Sequence, residues 1–297
     1  MVCSTLDLAR SSFYAAKQAK NKNDELDKQV QKRINKVWEK FPGWGYRKLT
    51  VSLKLNSKKI RRILKNLRDK DKSQATKKAT RQNRKYPNLI KMITQALIAN
   101  PAKLKRGNWV LRDGKNKYRK VIDPTRPYQL WAGDWKELKI PLLGVTLYIF
   151  IIIDCYTRQV MGYDISLIKD GQSALRASKM AVAKASKDPL FDPKKLIMHT
   201  DQGSAYVSAI YETYWKNLGV KLSSADRGKP TQNSYAEAFM SILVRYCLTQ
   251  YELFTIDDAS RAVKKFIRLY NSEWIHGEIG YISPDQKLEQ YRLYLTN

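Results

Sequence analysis

The ten residues from Val145 to Asp154, VTLYIFIIID, constrain the fold more than any other stretch. β-Branched and aromatic side chains run through it almost without a break. A strand with one face in water alternates apolar and polar residues, whereas a run that is apolar throughout must be covered on both faces. The run therefore reads as a strand buried on both faces. The run serves no membrane purpose. From Leu142 to Ile153 it is too short to span a bilayer, and no uncharged apolar stretch of about 18 residues occurs.

The flanking segments read as partners for this strand. Tyr128 to Leu138, YQLWAGDWKEL, and Gln159 to Ser166, QVMGYDIS, read as strands, and the short CYTR connection makes the second and third strands antiparallel. An Ala-rich helix is expected over Gly171 to Lys187, a strand over Leu196 to Thr200, a helix over Ser204 to Leu218 and a short strand over Val220 to Ser223. Asn233 then caps a helix running to about Leu248, and Asp257 to Tyr270 forms a last helix before an irregular tail. Three antiparallel strands followed by alternating helix and strand make an α/β domain with a mixed sheet.

The N-terminal part has a different texture. A short basic segment over residues 1–22 reads as a small helix, and Asp24 opens a stronger one, with Leu26, Val30, Ile34 and Val37 on one face. After Phe41-Pro42-Gly43, Tyr46 to Leu55 and Lys58 to Lys70 read as two short helices across an Asn56-Ser57 turn. The second is rich in Lys and Arg, which suits a helix-turn-helix. An ordinary helical hairpin with a solvated basic face is the plain alternative. Residues 71–88 are polar and basic and read as a linker that is disordered without DNA. Leu89 to Leu97 suits a short helix, and Trp109 to Arg126 reads only as a basic connector.

Charge follows the same division. The net charge is +29, and the first 130 residues carry 35 of the 56 Lys and Arg but only 9 of the 27 Asp and Glu. A field this asymmetric calls for a polyanionic partner, DNA or RNA before a membrane surface. The N-terminus lacks the apolar core of a signal peptide, so a cytoplasmic, nucleoid-associated protein is expected. Cys3, Cys155 and Cys247 are scattered and form no CxxC, which argues against a disulfide framework or a cysteine zinc site. Cys155 and Cys247 read as small buried hydrophobes.

Three carboxylates on separate elements are the candidates for chemistry. Asp134 lies in the Trp-bearing strand, Asp201 ends the fourth strand, and Glu237 sits just inside the helix after Asn233, with 35 residues between the last two. If the first and fourth strands are neighbours, the two aspartates converge. Hard oxygen ligands of this kind suit Mg²⁺ or Mn²⁺. Two ions about 3.5–4 Å apart could then drive an in-line phosphodiester displacement with no side-chain nucleophile. Each acid has a plainer role: Asp134 paired with Lys136, Asp201 capping the Gly203 turn, Glu237 favoured by the helix dipole. Asp154 reads as a structural pair with Arg158, and His199 as a packing histidine. His276 is far away in sequence, so no histidine-based metal site is supported.

WAGDWKEL, HTDQGSAY and GKPTQNSYAEAF, with the D-(35)-E spacing, resemble the retroviral-integrase-like catalytic core of insertion-sequence transposases, most of all the two-frame class whose catalytic part is OrfB. IDCYTRQVMGY is similar to the D-x-x-[ST]-R segment of that family. YNSEWIHGEIGYISPDQ resembles its tail, and SSFY with GYRKLTVSL and KKIRRILK resembles its DNA-binding region. The resemblance implies a ribonuclease H-like mixed-sheet catalytic core over residues 128–250, preceded by a helix-turn-helix region over 1–70 and a linker over 71–127. A C-terminal helix and tail over 251–297 would pack on the core.

It further implies a metal-dependent transposase that cuts DNA at element ends and transfers strands. Asp134, Asp201 and Glu237 would be its catalytic residues and its ligands for Mg²⁺ or Mn²⁺, as two ions in the sense of the pair above. Double-stranded DNA would be the partner, met by Arg47, Lys48, Lys58, Lys59, Arg61, Arg62, Lys229 and Arg245. Multimers on paired ends and an upstream-frame OrfA-type partner are also implied. The alternatives are a decayed transposase acting as a repressor of element ends, and a ribonuclease H-like nuclease. Departures from the family pattern fall at Gln232, where an acid is usual, Val244, where a base is usual, and Trp274, where an arginine is usual. The helix-turn-helix is also shorter between Leu55 and Lys58.

Overall fold

The computed structural model describes residues 10–41, 43–67, 86–99, 109–113, 120–140, 144–201, 208–226, 233–249 and 255–296. They belong to two units, Met1–Thr76 and Lys77–Asn297. In the first, α1 (Arg10–Lys40) is one continuous helix of 31 residues, where the sequence suggested a short helix and a second one from Asp24. Val30 and Ile34 are buried, while Leu26 is exposed, so the apolar stripe is shorter than its spacing suggests. The chain turns at Phe41 and Trp44, whose rings stack with centroids 4.3 Å apart. Helices α2 (Tyr46–Leu53) and α3 (Ser57–Leu67) follow. Lys54 ends α2 in the left-handed region at φ 51°, and Asn56 Oδ1 accepts from Lys58 N at 2.8 Å. Leu49, Ile60, Ile63 and Leu64 fill the space between the helices.

The second unit opens with α4 (Leu89–Ala99) and a two-stranded antiparallel hairpin, β1 (Trp109–Asp113) and β2 (Lys120–Pro124). The hairpin replaces the connector expected there. Residues 68–85, most of the expected linker, lie outside the described residues. The end of that stretch packs on the sheet: Ser224 Oγ donates to Tyr86 O at 2.7 Å, and Asn88 is buried and accepts from Lys91 N at the start of α4.

Five strands make the main sheet: β3 (Leu130–Ile140), β4 (Val145–Asp154), β5 (Val160–Ser166), β6 (Ile197–Thr200) and β7 (Lys221–Ser224), in the order β5-β4-β3-β6-β7. β3, β4 and β5 are antiparallel neighbours, and β6 and β7 run parallel to β3. This is the mixed sheet of a ribonuclease H-like fold. Residues Leu147 and Ile149 to Ile153 are fully buried, which meets the demand of the apolar run.

One face is covered by α5 (Gly171–Ala185) and α6 (Ala209–Asn217), where Trp131, Trp135, Phe150, Met198, Tyr211 and Trp215 pack with the alanines of α5. Those alanines allow close approach: a Cβ on Gly162 of β5 would meet Ala177 O at 2.1 Å. The opposite face carries α7 (Ser234–Leu243), which widens into a π-helical turn over Val244–Leu248, and α8 (Ile256–Glu273).

The tail, expected to be irregular, forms α9 (Pro284–Thr296). Ser283 Oγ and Gln286 Oε1 bond each other's backbone amides in a capping box, and Pro284 takes the first helical position. Trp274 ends α8 with 1% of its surface exposed, packed on Tyr246, Phe266 and Tyr270. An aromatic plug thus stands where the family tail has an arginine. Asn271 clamps the edge strand, with Oδ1 accepting from Val160 N at 2.8 Å and Nδ2 donating to Val160 O at 3.0 Å. Among the described residues, no helix is long and apolar enough to cross a membrane.

Candidate active site

The sheet makes Asp134 and Asp201 neighbours. β3 and β6 pair in parallel with Leu130, Trp131 and Ala132 opposite Ile197, Met198 and His199. Continuing that register places Asp134 beside Asp201, which immediately follows β6. Trp131 and Trp135 point into the core under α5 and α6, so strand alternation sends Asp134 to the other face, under α7. Glu237 lies in the first turn of α7. A bond from Asn233 Nδ2 to Gly133 O, 2.9 Å and buried, ties the start of that helix to β3 one residue before Asp134. Asn233 therefore holds the N-cap position, but its side chain makes no capping bond, contrary to the sequence reading.

The three carboxylates act on one another. Burial pushes the Asp134 carboxyl up to about 7, with the charge of Asp201 next in weight and that of Glu237 adding to it. A hydrogen bond from Trp135 N to Asp134 Oδ1, 2.8 Å, and the charge of Lys169 oppose the shift. Burial also raises Glu237. Among the described residues, neither Asp134 nor Glu237 forms an ion pair, so the plainer alternative, an Asp134–Lys136 pair, is not made. Nor do any three His, Cys, Asp or Glu side chains there stand close enough to grip one ion. The carboxylates are neighbours within electrostatic reach, without closing into a cage. As a donor set they nonetheless suit a hard divalent cation, because they are oxygen-only, mutually repelling and partly desolvated.

The rival acid is differently placed. Asp154 is fully buried and accepts from Tyr128 N and Trp131 Nε1 on one oxygen, and from Tyr156 N, Thr157 N and Thr157 Oγ1 on the other. It is structural, but not through the ion pair with Arg158 that the sequence suggested. Arg158 reaches Glu278 at 3.3 Å and lies over the Tyr235 ring at 4.2 Å. His199 is buried, with Nδ1 2.9 Å from Ser223 Oγ, as a packing histidine should be.

Lys169 was not singled out by sequence. It precedes α5, lies 5.9 Å over the Trp135 ring, and is exposed at the edge of the carboxylates. Only its position one residue before the Asp170 N-cap could have pointed to it.

The candidate DNA contacts are dispersed. Arg245 is exposed on the π turn, whose wider winding brings it back toward the face of Glu237. Val244 begins that turn. Lys229 and Gln232 lie outside the described residues.

In the N-terminal unit, Arg61 lies over the Tyr46 ring at 4.0 Å and also bonds its hydroxyl, while Arg47 Nε donates to the same oxygen at 3.2 Å. Arg62 holds Asp27 through bonds of 2.6 and 2.7 Å, and Lys59 stands 3.9 Å from the same carboxylate. Lys58 is exposed. Lys48 lies 5.2 Å over the Trp44 ring, and burial lowers its ammonium to about 7.

Comparison with known proteins adds to this geometry. The integrase core domain family matches residues 124–230, and a second integrase core domain family matches residues 218–284, together more than half of the chain. The transposase for insertion sequence element IS904 of Lactococcus lactis is 29% identical over 177 residues, covering 59% of this chain and 67% of its own. An uncharacterized transposase-like protein of Haemophilus influenzae is 26% identical over 237 residues, covering 80% of this chain and 94% of its own. Among solved structures, the HTLV-2 integrase catalytic core domain in complex with magnesium overlaps with a TM-score of 0.42 at 15% identity, covering 55% of this chain and 97% of that one.

Proposed function

Because the chain belongs to the integrase-core family of insertion-sequence transposases, we propose that it cleaves DNA at the ends of a mobile element and joins those ends to target DNA. Asp134, Asp201 and Glu237 are the catalytic carboxylates of this reading. The observation that carries it is the convergence of Asp134, Asp201 and Glu237 from two neighbouring strands and the helix tied to them, where burial and the two other carboxylates push the Asp134 carboxyl up to about 7. An arrangement of like charges with, among the described residues, no ion pair at Asp134 or Glu237 opposes folding and is relieved by a bound cation.

The same three residues would hold Mg²⁺ or Mn²⁺, which when bound supplies Lewis-acid activation of the attacking oxygen and charge neutralisation at the phosphate. Asp134 gives up its proton on entering that state. Lys169, whose charge acts on Asp134, and Arg245, exposed farther along the helix that carries Glu237, are the cations that meet the DNA phosphates in this reading. The helix-turn-helix unit holds duplex DNA through its basic side chains, and two or more copies act on paired ends.

The test is cleavage of duplex DNA carrying the element's own end sequences by the full chain with Mn²⁺. Wild type should nick at the element end, leaving a 3′-hydroxyl, while Asp201→Asn and Glu237→Gln bind the duplex and leave it whole. Equal cleavage by wild type and Asp201→Asn would remove the carboxylate reading. Binding with no cleavage by wild type would leave a repressor of element ends, and preferential cutting of RNA–DNA hybrids would leave a ribonuclease H-like nuclease.

A further inference from the structure

We propose that Asn233 is a positioning residue that holds the Glu237 carboxylate against Asp134, an inference that rests on the three-carboxylate reading. Asparagine at an N-cap ordinarily accepts from the amides of the first helical turn. Here that bond is absent, and Nδ2 instead donates across the gap between helix and sheet to Gly133 O at 2.9 Å. Gly133 is the residue before Asp134, and Glu237 lies four residues, about one turn, beyond Asn233. A single bond therefore joins the two elements that carry two of the three carboxylates, close to both.

The strand side of this joint is closely packed. A Cβ on Gly133 would stand 2.6 Å from Met198 Cε and 3.0 Å from Phe150 Cζ, so the backbone there is pressed onto the core. The helix side depends on Asn233 itself. The residue is 3% exposed, yet its Oδ1 is buried and finds no hydrogen-bond partner among the described residues. Buried polar groups are normally satisfied, and an amide kept for packing alone would do as well as an apolar residue of its shape. An amide with one end unsatisfied and the other fixed to the residue before Asp134 is explained by what that bond aligns.

The experiment measures Mn²⁺ binding to the full chain by the resonance signal of free Mn²⁺, for wild type, Asn233→Ala, Glu237→Gln and the double variant. Thermal unfolding without metal is followed in parallel. Asn233→Ala is expected to weaken Mn²⁺ binding about 10-fold or more, in the range seen when groups that orient metal ligands are removed. In the Glu237→Gln background the same change should weaken binding no further, because Asn233 acts through Glu237.

A lowered unfolding midpoint with unchanged Mn²⁺ affinity would make Asn233 a packing residue and overturn the proposal. An effect that persists undiminished without Glu237 would overturn it too. If Asn233→Ala does not fold, Asn233→Ser is read in the same way. Wild type that binds no Mn²⁺ removes the three-carboxylate reading and this inference with it, whereas tight binding that Asn233→Ala leaves intact removes this inference alone.

Discussion

Replacing Asp134 with asparagine should stabilise the metal-free protein at neutral pH, and the gain should vanish in acid. The carboxyl sits at about 7 in the folded chain against an ordinary value of 3.8. Between those two values the folded state holds a proton that the unfolded chain has released. Folding stability therefore falls as pH rises through that window, and it is unaffected by this group below about 4. A window of roughly three pH units at 1.36 kcal/mol each sets a ceiling of about 4 kcal/mol. Asp134 is only partly shielded from solvent, and screening brings the expected value to about 1–3 kcal/mol.

Asparagine keeps an oxygen for the bond from Trp135 N, so little else changes. The assay is denaturant unfolding followed by tryptophan fluorescence from pH 4 to 8 in the presence of chelator. The variant should exceed wild type at pH 8 and match it at pH 4. Adding Mn²⁺ should raise wild type and leave the variant unmoved. A variant no more stable than wild type at pH 8, or a difference that does not change with pH, would refute the reasoning.

Trp274→Arg, which restores the usual residue of the family tail, should cost about 3–5 kcal/mol of stability, read from denaturant unfolding, because it removes a buried ring and leaves a charge in an aromatic cluster. Gly162→Ala should lower the thermal midpoint by an amount equivalent to about 1–3 kcal/mol, since the added Cβ would lie 2.1 Å from Ala177 O and 2.8 Å from Ala181 N on the facing helix backbone. Asp27→Asn frees Arg62 and Lys59 from an intramolecular carboxylate. Duplex binding should tighten, and the slope of log affinity against log salt should steepen by about 1–2, as measured by fluorescence anisotropy.

The parts of the fold that local pattern determines were legible. The apolar run at 145–154 demanded a strand covered on both faces, and β4 is that strand. The alanines of α5 marked a helix packed close to the sheet. The hairpin β1–β2 was missed because charged residues and Gly114 interrupt its sequence, and antiparallel partners do not reveal their pairing locally. Helix α9 was missed for a different reason. Only Pro284 and Leu288 are buried along it, while Leu293, Tyr294 and Leu295 are exposed, so no single apolar stripe betrays a helix. Its capping box, Ser283 to Gln286 around Pro284, was a signal within reach.

For the candidate site, sequence set Asp154 apart from Asp134 as a structural acid but gave the wrong partner for it. Asp134 and Asp154 both lie on central strands, and burial raises the carboxyl of each. What separates them is the count of donors, which depends on folding. Asp154 receives five hydrogen bonds, three from the CYTR turn that follows it and two from the start of β3, so its charge is spent on fixing the turn and the strand entry. Among the described residues Asp134 receives one, from its own neighbour, and faces two like charges across β6 and α7. A carboxylate satisfied on all sides has nothing left to offer a ligand. One that is desolvated, repelled and barely hydrogen-bonded is held in a state that a cation or a proton relieves, and this is the physical difference in this sheet between a structural acid and the one proposed to be catalytic.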